Sequence, residues 1–245
     1  MKKYGLIGYP LTHSFSKKYF TEKFIREGIR DCSYELYPIS SIDELEDLIK
    51  QNPGLQGLNV TLPYKRSVLQ HLSDSNNIPS GLRACNCIKF TNGKRSGYNT
   101  DIAAFERSLG TGLKNHHTSA LVLGNGGAAE SVKFVLQKLK IGYKIVSRRI
   151  HDDTEVTYAD LNETIISENK LIINTTPVGT FPNVDDCPDL PYQYVTAQHF
   201  LFDLVYNPEK TLFLQKGEEQ GATIKNGYEM LVLQAEESWK IWNED

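Results

Sequence analysis

The sequence predicts an α/β protein built in two parts. Three observations carry that expectation. Short apolar, strand-like runs alternate with amphipathic helical patterns along the chain. Polar and charged side chains collect just beyond the strand ends, where α/β proteins keep their chemistry. An apolar run from Ala120 to Leu123 breaks into Gly124-Asn125-Gly126-Gly127 before a new helical pattern. At 245 residues the chain is long for one simple domain and short for two large ones.

Composition excludes several classes. Hydrophobic residues make up 40% and charged residues 23%, ordinary for a globular protein, and no apolar run approaches the length of a membrane span. Met1-Lys2-Lys3 precedes only a short apolar segment, too short for a signal peptide, so a cytoplasmic protein is expected. A net charge of −3 with both signs scattered argues against nucleic acid as a partner. Cys32, Cys85, Cys87 and Cys187 do not make a disulfide framework at this length. Cys85 and Cys87 read as packed thiols, because no second Cys or His pair stands at zinc-site spacing, and no metal is expected. His116-His117 falls in a polar linker.

The first part opens with a strand, Tyr4 to Gly8, and a loop that starts a helix burying Phe20 and Phe24. Ser14 and Ser16 therefore lie at a helix N-terminus, suited either to an anionic oxygen or to plain capping. Cys32, Tyr34 and Leu36 alternate in a second strand, and Ser41-Ile-Asp-Glu44 is a capping box opening a helix through Leu45, Leu48 and Ile49. The stretch Leu58-Asn-Val-Thr-Leu-Pro-Tyr-Lys65 reads as a strand entering a Pro-broken turn, with Asn59 and Thr61 on one face and Lys65 just past the end. A lysine there can exchange a proton or supply fixed positive charge. After a short helix near Val68 to Leu72, Ala84–Phe90 and Ser96–Thr100 flank Asn92-Gly93 as a hairpin. The hairpin delivers Asn86 and Asp101. Asp101 reads equally as an ordinary N-cap or as a carboxylate partner for Lys65, and spacing does not choose.

The second part begins after a linker at Gly110–Ser119. The strand, glycine turn and helix from Ala120 onward, with Val132, Val135, Leu136 and Leu139 inward, have the layout of a Rossmann-type, doubly wound dinucleotide domain. Backbone N–H groups around Gly124, Asn125, Gly126, Gly127 and Ala128 can approach a pyrophosphate at the helix N-terminus, and Ala129 stands at the third glycine position. The following strand ends in Ser147-Arg148-Arg149. An acid at that position would accept the ribose 2′-hydroxyl of NAD, whereas arginines match the 2′-phosphate of NADP. Two more buried strands, Leu171–Asn174 and Phe200–Tyr206, then a helix beginning at Leu212, a short strand at Ala222–Ile224 and a terminal helix after Asn226 complete the pattern. On that helix Met230 reads as core and Gln234 as surface.

Six separated blocks resemble the shikimate dehydrogenase family in order along nearly the whole chain. They are Ser14-Phe-Ser16, Asn59-Val-Thr-Leu-Pro-Tyr-Lys65, Asn99-Thr-Asp101, Asn174-Thr-Thr-Pro-Val-Gly179, Asp203-Leu-Val-Tyr-Asn-Pro208 and Asn226-Gly-Tyr-Glu-Met-Leu-Val-Leu-Gln234. The resemblance implies a substrate-binding catalytic domain over 1–100 with 227–245, an NADP domain over 101–226, and a cleft between them. It implies reversible, NADPH-dependent reduction of 3-dehydroshikimate to shikimate, a step toward chorismate and the aromatic amino acids. Ser14 and Ser16 would hold the ring carboxylate, and Thr61, Asn86, Asp101, Tyr206 and Gln234 would surround the ring. Lys65 would serve the C3 oxygen with Asp101 beside it, while Leu204, Gly227 and Met230 would meet the nicotinamide. A monomer or homodimer is expected.

The chain departs from the family pattern in places. Arg83-Ala-Cys-Asn86-Cys87 replaces the usual Gly-Ala-Val-Asn-Thr, Asn125 replaces a small residue, and Ile102 and Ala104 replace glycines. None removes a polar group assigned to catalysis. Other readings are a quinate/shikimate dehydrogenase, against which Ser147-Arg148-Arg149 speaks, a non-catalytic NADP-binding paralogue, and a carboxylate-binding module without cofactor. The last leaves the glycine turn and the arginines unexplained.

Overall fold

The computed structural model describes residues 1–11, 14–149 and 156–244. Its chain divides into two compact units, 1–101 with 234–245 and 102–233, with the boundaries inside two helices.

In the first unit, β1 (Lys2–Gly8), β2 (Cys32–Pro38) and β3 (Leu55–Val60) are parallel, and β4 (Cys87–Thr91) and β5 (Lys94–Tyr98) add an antiparallel hairpin. The sheet order is β2-β1-β3-β4-β5. Helix α1 (Phe15–Arg26) is capped by Ser14, whose hydroxyl accepts from the Lys17 N–H, and its Phe20 and Phe24 are buried. Phe20 stacks on Tyr34 at 4.5 Å between ring centres and lies in one apolar cluster with Tyr4 and Trp242. The capping box forms as expected, with a single 3₁₀ turn leading into α2 (Leu45–Gln51). The hairpin strand starts at Cys87, so Asn86 stands just before it and not within it. Cys85 and Cys87 are fully buried, and burial pushes the Cys85 thiol up to about 11.

The second unit is a six-stranded, all-parallel sheet. It comprises β6 (Ser119–Leu123), β7 (Gly142–Ser147), β8 (Val156–Thr157), β9 (Leu171–Asn174), β10 (Phe200–Asp203) and β11 (Thr223–Lys225). The order β11-β10-β9-β6-β7-β8 is the doubly wound one, with the direction of winding reversing between β6 and β9. The central strands β6, β9 and β10 are apolar on both faces, as burial between two helical layers demands. Helices α3 (Asp101–Gly110) from Ile102 on, α4 (Gly127–Lys138), α5 (Glu163–Glu168), α6 (Leu212–Glu219) and α7 (Tyr228–Asn243) as far as Leu233 accompany these strands. Val132, Val135 and Leu136 are fully buried as expected, but Leu139, in the capping position after α4, is exposed. His117 is buried despite its polar neighbours, bonded through its ring to the Gln198 carbonyl at 3.2 Å. Among the described residues no helix is long and apolar enough to cross a membrane.

Candidate active site

In the first unit the loop after β3 carries Lys65, and the first residue of α3 is Asp101. Lys65 Nζ lies 2.7 Å from Asp101 Oδ2, and both side chains are largely buried, at 15% and 8% exposed. The backbone holds the two in place: the Lys65 carbonyl accepts from the Cys85 N–H at 2.8 Å, and the Thr100 N–H donates to Asn86 Oδ1 at 2.7 Å. Of the two readings of Asp101, the ion pair is present, and Asp101 also begins the helix.

The other residues expected around a ring in this unit occupy varied settings. Thr61 follows β3 half-buried, and its carbonyl accepts from the Tyr64 N–H at 2.9 Å. Asn86 is buried, with its amide donating to Thr100 Oγ1 at 2.9 Å; its side chain retains a second N–H and further lone pairs. Ser14 is half-buried at the cap, while Ser16 is buried. Gln234 is buried, a correction to its reading as plain surface: it shares a face of α7 with the buried Ser238, whose hydroxyl donates to the Gln234 carbonyl at 2.9 Å.

Beneath these residues runs a buried polar network built around Asn59. Its Oδ1 accepts from the Tyr34 hydroxyl at 2.8 Å, and its Nδ2 donates to Ser238 Oγ at 2.8 Å and to the Asn86 carbonyl at 3.3 Å. β2, β3, the approach to β4 and α7 thus meet at one amide. Sequence reading placed Asn59 on a polar face with Thr61 but did not find this role. The available signal was an asparagine inside an otherwise apolar strand, which must find partners when buried.

In the second unit, the residues expected to meet a dinucleotide lie beyond the carboxyl ends of β6, β7, β10 and β11. Gly124 has φ +97°, a backbone state that suits glycine, and a Cβ there would come within 2.8 Å of Thr176 Cγ2. Gly126 is the cap of α4 and has no side chain to bond the first-turn N–H groups, unlike the caps of α1, α5 and α6, which are Ser14, Asn162 and Thr211. A Cβ on Gly126 would meet nothing within 4 Å, so the turn has open space beside it. Asn125 Oδ1 receives Lys133 Nζ at 3.4 Å, Gly127 is buried and Ala128 half-buried. First-turn N–H groups at a positive helix end, with open space beside a glycine cap, fit a pyrophosphate.

Ser147 ends β7 with its hydroxyl donating to the Arg149 carbonyl, and Arg148 and Arg149 are exposed immediately beyond. Among the described residues no acid stands at that strand end, so those present fit a 2′-phosphate. β10 ends at Asp203, earlier than the expected Tyr206, leaving Leu204 and Tyr206 in the loop beyond it, both half-buried. Gly227 passes so close to the Leu204 carbonyl that a Cβ would collide with it, and Met230 packs into the core with Phe105 and Phe202.

Sequence reading also overlooked Asp203 itself. It is fully buried, with Oδ1 accepting from Asn174 Nδ2 at 2.9 Å and the Val205 N–H at 3.0 Å, and Oδ2 accepting from the Thr211 hydroxyl at 2.6 Å. Burial pushes its carboxyl up to about 6, against the opposing pull of those three hydrogen bonds. A charged residue closing the run Phe200-Leu-Phe was the signal.

These features define an α/β protein with one mixed-sheet unit carrying a Lys–Asp pair and one doubly wound unit of the dinucleotide-binding type. The family model described as the shikimate dehydrogenase substrate binding domain matches residues 6–88. A shikimate dehydrogenase (NADP(+)) of Clostridium beijerinckii is 37% identical over 100% of this chain and 93% of its own. That of Caldicellulosiruptor bescii is 33% identical over 99% and 89%. The solved shikimate 5-dehydrogenase of Thermus thermophilus, in complex with NADP(H) and shikimate, superposes with a TM-score of 0.87 at 26% identity, over 99% of this chain and 94% of that one. The chain belongs to the shikimate dehydrogenase family.

Proposed function

We propose that this protein catalyses the reversible, NADPH-dependent reduction of 3-dehydroshikimate to shikimate, working in the cytoplasm on the route to aromatic amino acids. The carrying observation is the buried pair of Lys65 and Asp101, 2.7 Å apart at the end of the substrate unit's strands. NADPH, when bound, supplies the hydride that reduces the C3 carbonyl.

The chain's own residues bind, orient and manage the proton. Residues 1–101 with 234–245 supply the substrate's binding groups apart from Tyr206, and 102–233 hold the cofactor. Ser14 and Ser16, at the N-terminus of α1, receive the ring carboxylate, with the helix dipole adding to their hydroxyls. Thr61, Asn86, Tyr206 and Gln234 fix the ring and its hydroxyls. Lys65 presents its ammonium to the C3 oxygen, where negative charge grows during reduction, and gives up a proton there in that direction and regains it in reverse. Asp101 holds the Lys65 side chain and accepts from the substrate hydroxyl. The α4 N-terminus from Gly124 to Ala128 receives the pyrophosphate, Ser147, Arg148 and Arg149 the 2′-phosphate, and Leu204, Gly227 and Met230 the nicotinamide end.

The test follows the appearance of reduced nicotinamide with shikimate or quinate, each with NADP or NAD. Rapid reduction confined to shikimate with NADP is the expected result. Reduction of quinate at a comparable rate would move the substrate to the broader quinate/shikimate class. Silence in every combination, from folded protein, would overturn the catalytic reading.

A further inference from the structure

The hydrogen bonds of Asp203 run to three different segments. Asn174 ends β9, Val205 lies in the loop after β10, and Thr211 caps α6. Each of the first two segments continues to a part of the cofactor side. Asn174 uses its amide on Asp203 and turns its Oδ1 to the Thr176 N–H at 3.0 Å and the Thr176 hydroxyl at 2.6 Å. Thr176 is the residue whose methyl group stands against Gly124, and the neighbouring Thr175 ties both its N–H and its hydroxyl to the Leu123 carbonyl, at 3.0 and 2.7 Å. The shape of the glycine turn is therefore set from below by the segment after β9. On the other branch, the Val205 N–H bond closes a tight turn over Leu204. The Val205 carbonyl then accepts from the Gly227 N–H at 3.1 Å, so the start of α7 is placed by the same turn.

We infer that Asp203 is the positioning residue of the cofactor side, one buried carboxylate that holds the glycine turn and the Leu204–Gly227 contact in mutual register. The inference rests on the NADP reading of this unit. Asp203 meets neither substrate nor cofactor in this role and acts through Asn174, Thr176 and Val205. Its essential property is acceptor geometry. Asparagine at this position retains an oxygen for Asn174 and Val205 and presents an N–H to the Thr211 hydroxyl, which can accept it. Alanine retains nothing and removes the acceptor of the Val205 N–H, the Thr211 hydroxyl and the shorter of the two Asn174 amide bonds.

Asp203→Ala should raise KM for NADP at least about tenfold, the range expected when a pre-formed site must be re-ordered on binding. KM for shikimate should rise several-fold less than KM for NADP, since Tyr206 alone of the ring residues follows this turn, and Asp203→Asn should restore KM for NADP to within about threefold of the wild type. A folded Asp203→Ala with unchanged KM for NADP, or one in which both KM values rise by the same factor, would overturn the inference. Should Asp203→Ala fail to fold, Thr176→Val, which keeps the shape and removes the hydroxyl's link to Asn174 together with its bond from the Val178 N–H, is judged by the same ratio of KM values. Backbone hydrogen exchange separates this inference from the functional reading. Faster exchange at 175–178 and 204–206 in Asp203→Ala is expected even from a protein that reduces no NADP, and unchanged exchange there would sink the positioning role itself.

Discussion

Lys65 and Asp101 form a 2.7 Å ion pair between a loop residue after β3 and the first residue of α3. The contact fixes the Lys65 side chain against the first residue of α3, with both groups largely buried. Replacing Lys65 with Ala should cut kcat by roughly 10²–10⁴-fold, the usual contribution of a positioned proton donor, with KM for shikimate changed only a few-fold. Steady-state kinetics in both directions check this. Near-normal turnover would remove the pair from the chemistry. Asp101→Asn should lower kcat and also raise KM for shikimate, because it both releases the lysine and loses an acceptor for the substrate hydroxyl.

Arg148 and Arg149 stand exposed at the end of β7, beside a serine and with no acid among the described residues of that strand end. Charge-assisted bonds to a phosphate contribute about 1.5–3 kcal/mol each. The double change Arg148→Ala/Arg149→Ala should therefore raise KM for NADP by at least about 100-fold. KM for NAD should move little, since NAD has no 2′-phosphate for these residues to meet. Parallel kinetics with the two cofactors give the answer, and an equal loss for both would place the arginines elsewhere.

What the sequence disclosed and what it hid differ for a physical reason. Period and punctuation are local: the alternation around Tyr34, the Ser41–Glu44 box and the glycine turn before α4 each specify their own segment, and each formed. The doubly wound unit followed from such segments in series. The Lys65–Asp101 contact was one of two readings that spacing left open, because a carboxylate at a helix start serves equally as a cap. Asn59, Ser238 and Asp203 were not legible, because their meaning lies in partners from distant segments: Asn59 meets Ser238 across 179 residues and Asp203 meets Asn174 across 29. The same cause misplaced Gln234 and His117, whose polar side chains and neighbours suggested solvent while long-range packing covered them.

The Asn59 network should be measurable as stability. Tyr34 is buried, and burial holds its hydroxyl well above the ordinary tyrosine range, so it remains a donor to Asn59 at every working pH. Tyr34→Phe keeps the ring stack on Phe20 and removes only that donor, leaving Asn59 Oδ1 buried without it. The expected loss is about 1–3 kcal/mol, read as a lower denaturation midpoint with an unchanged m-value. No loss would mean that the Tyr34–Asn59 bond is worth no more than its replacement by water.

Stability should also depend on pH through two kinds of buried group with opposite sign. Burial lowers His117 and His199 below the ordinary 6.5, with their hydrogen bonds to the Gln198 and Ile166 carbonyls opposing the shift only in part. In the unfolded chain these rings take up protons at a higher pH than in the folded one. Their contribution is thus intact above about 6.5 and is lost as pH falls from there through their folded values. Asp203 behaves in the reverse sense. Its carboxyl is raised from 3.8 to about 6, so the folded state binds the proton first and stability is regained as pH falls through that window. The linked free energy is roughly 3 kcal/mol. Denaturant titrations from pH 7.5 to 4.5 should show His117→Gln/His199→Gln flattening the decline below 6.5. They should also show Asp203→Asn gaining stability relative to the wild type at pH 7.5 and losing that advantage by pH 4.5. An Asp203→Asn difference that stays constant with pH would place the carboxyl in its ordinary range and the ionised form at no cost in the folded protein.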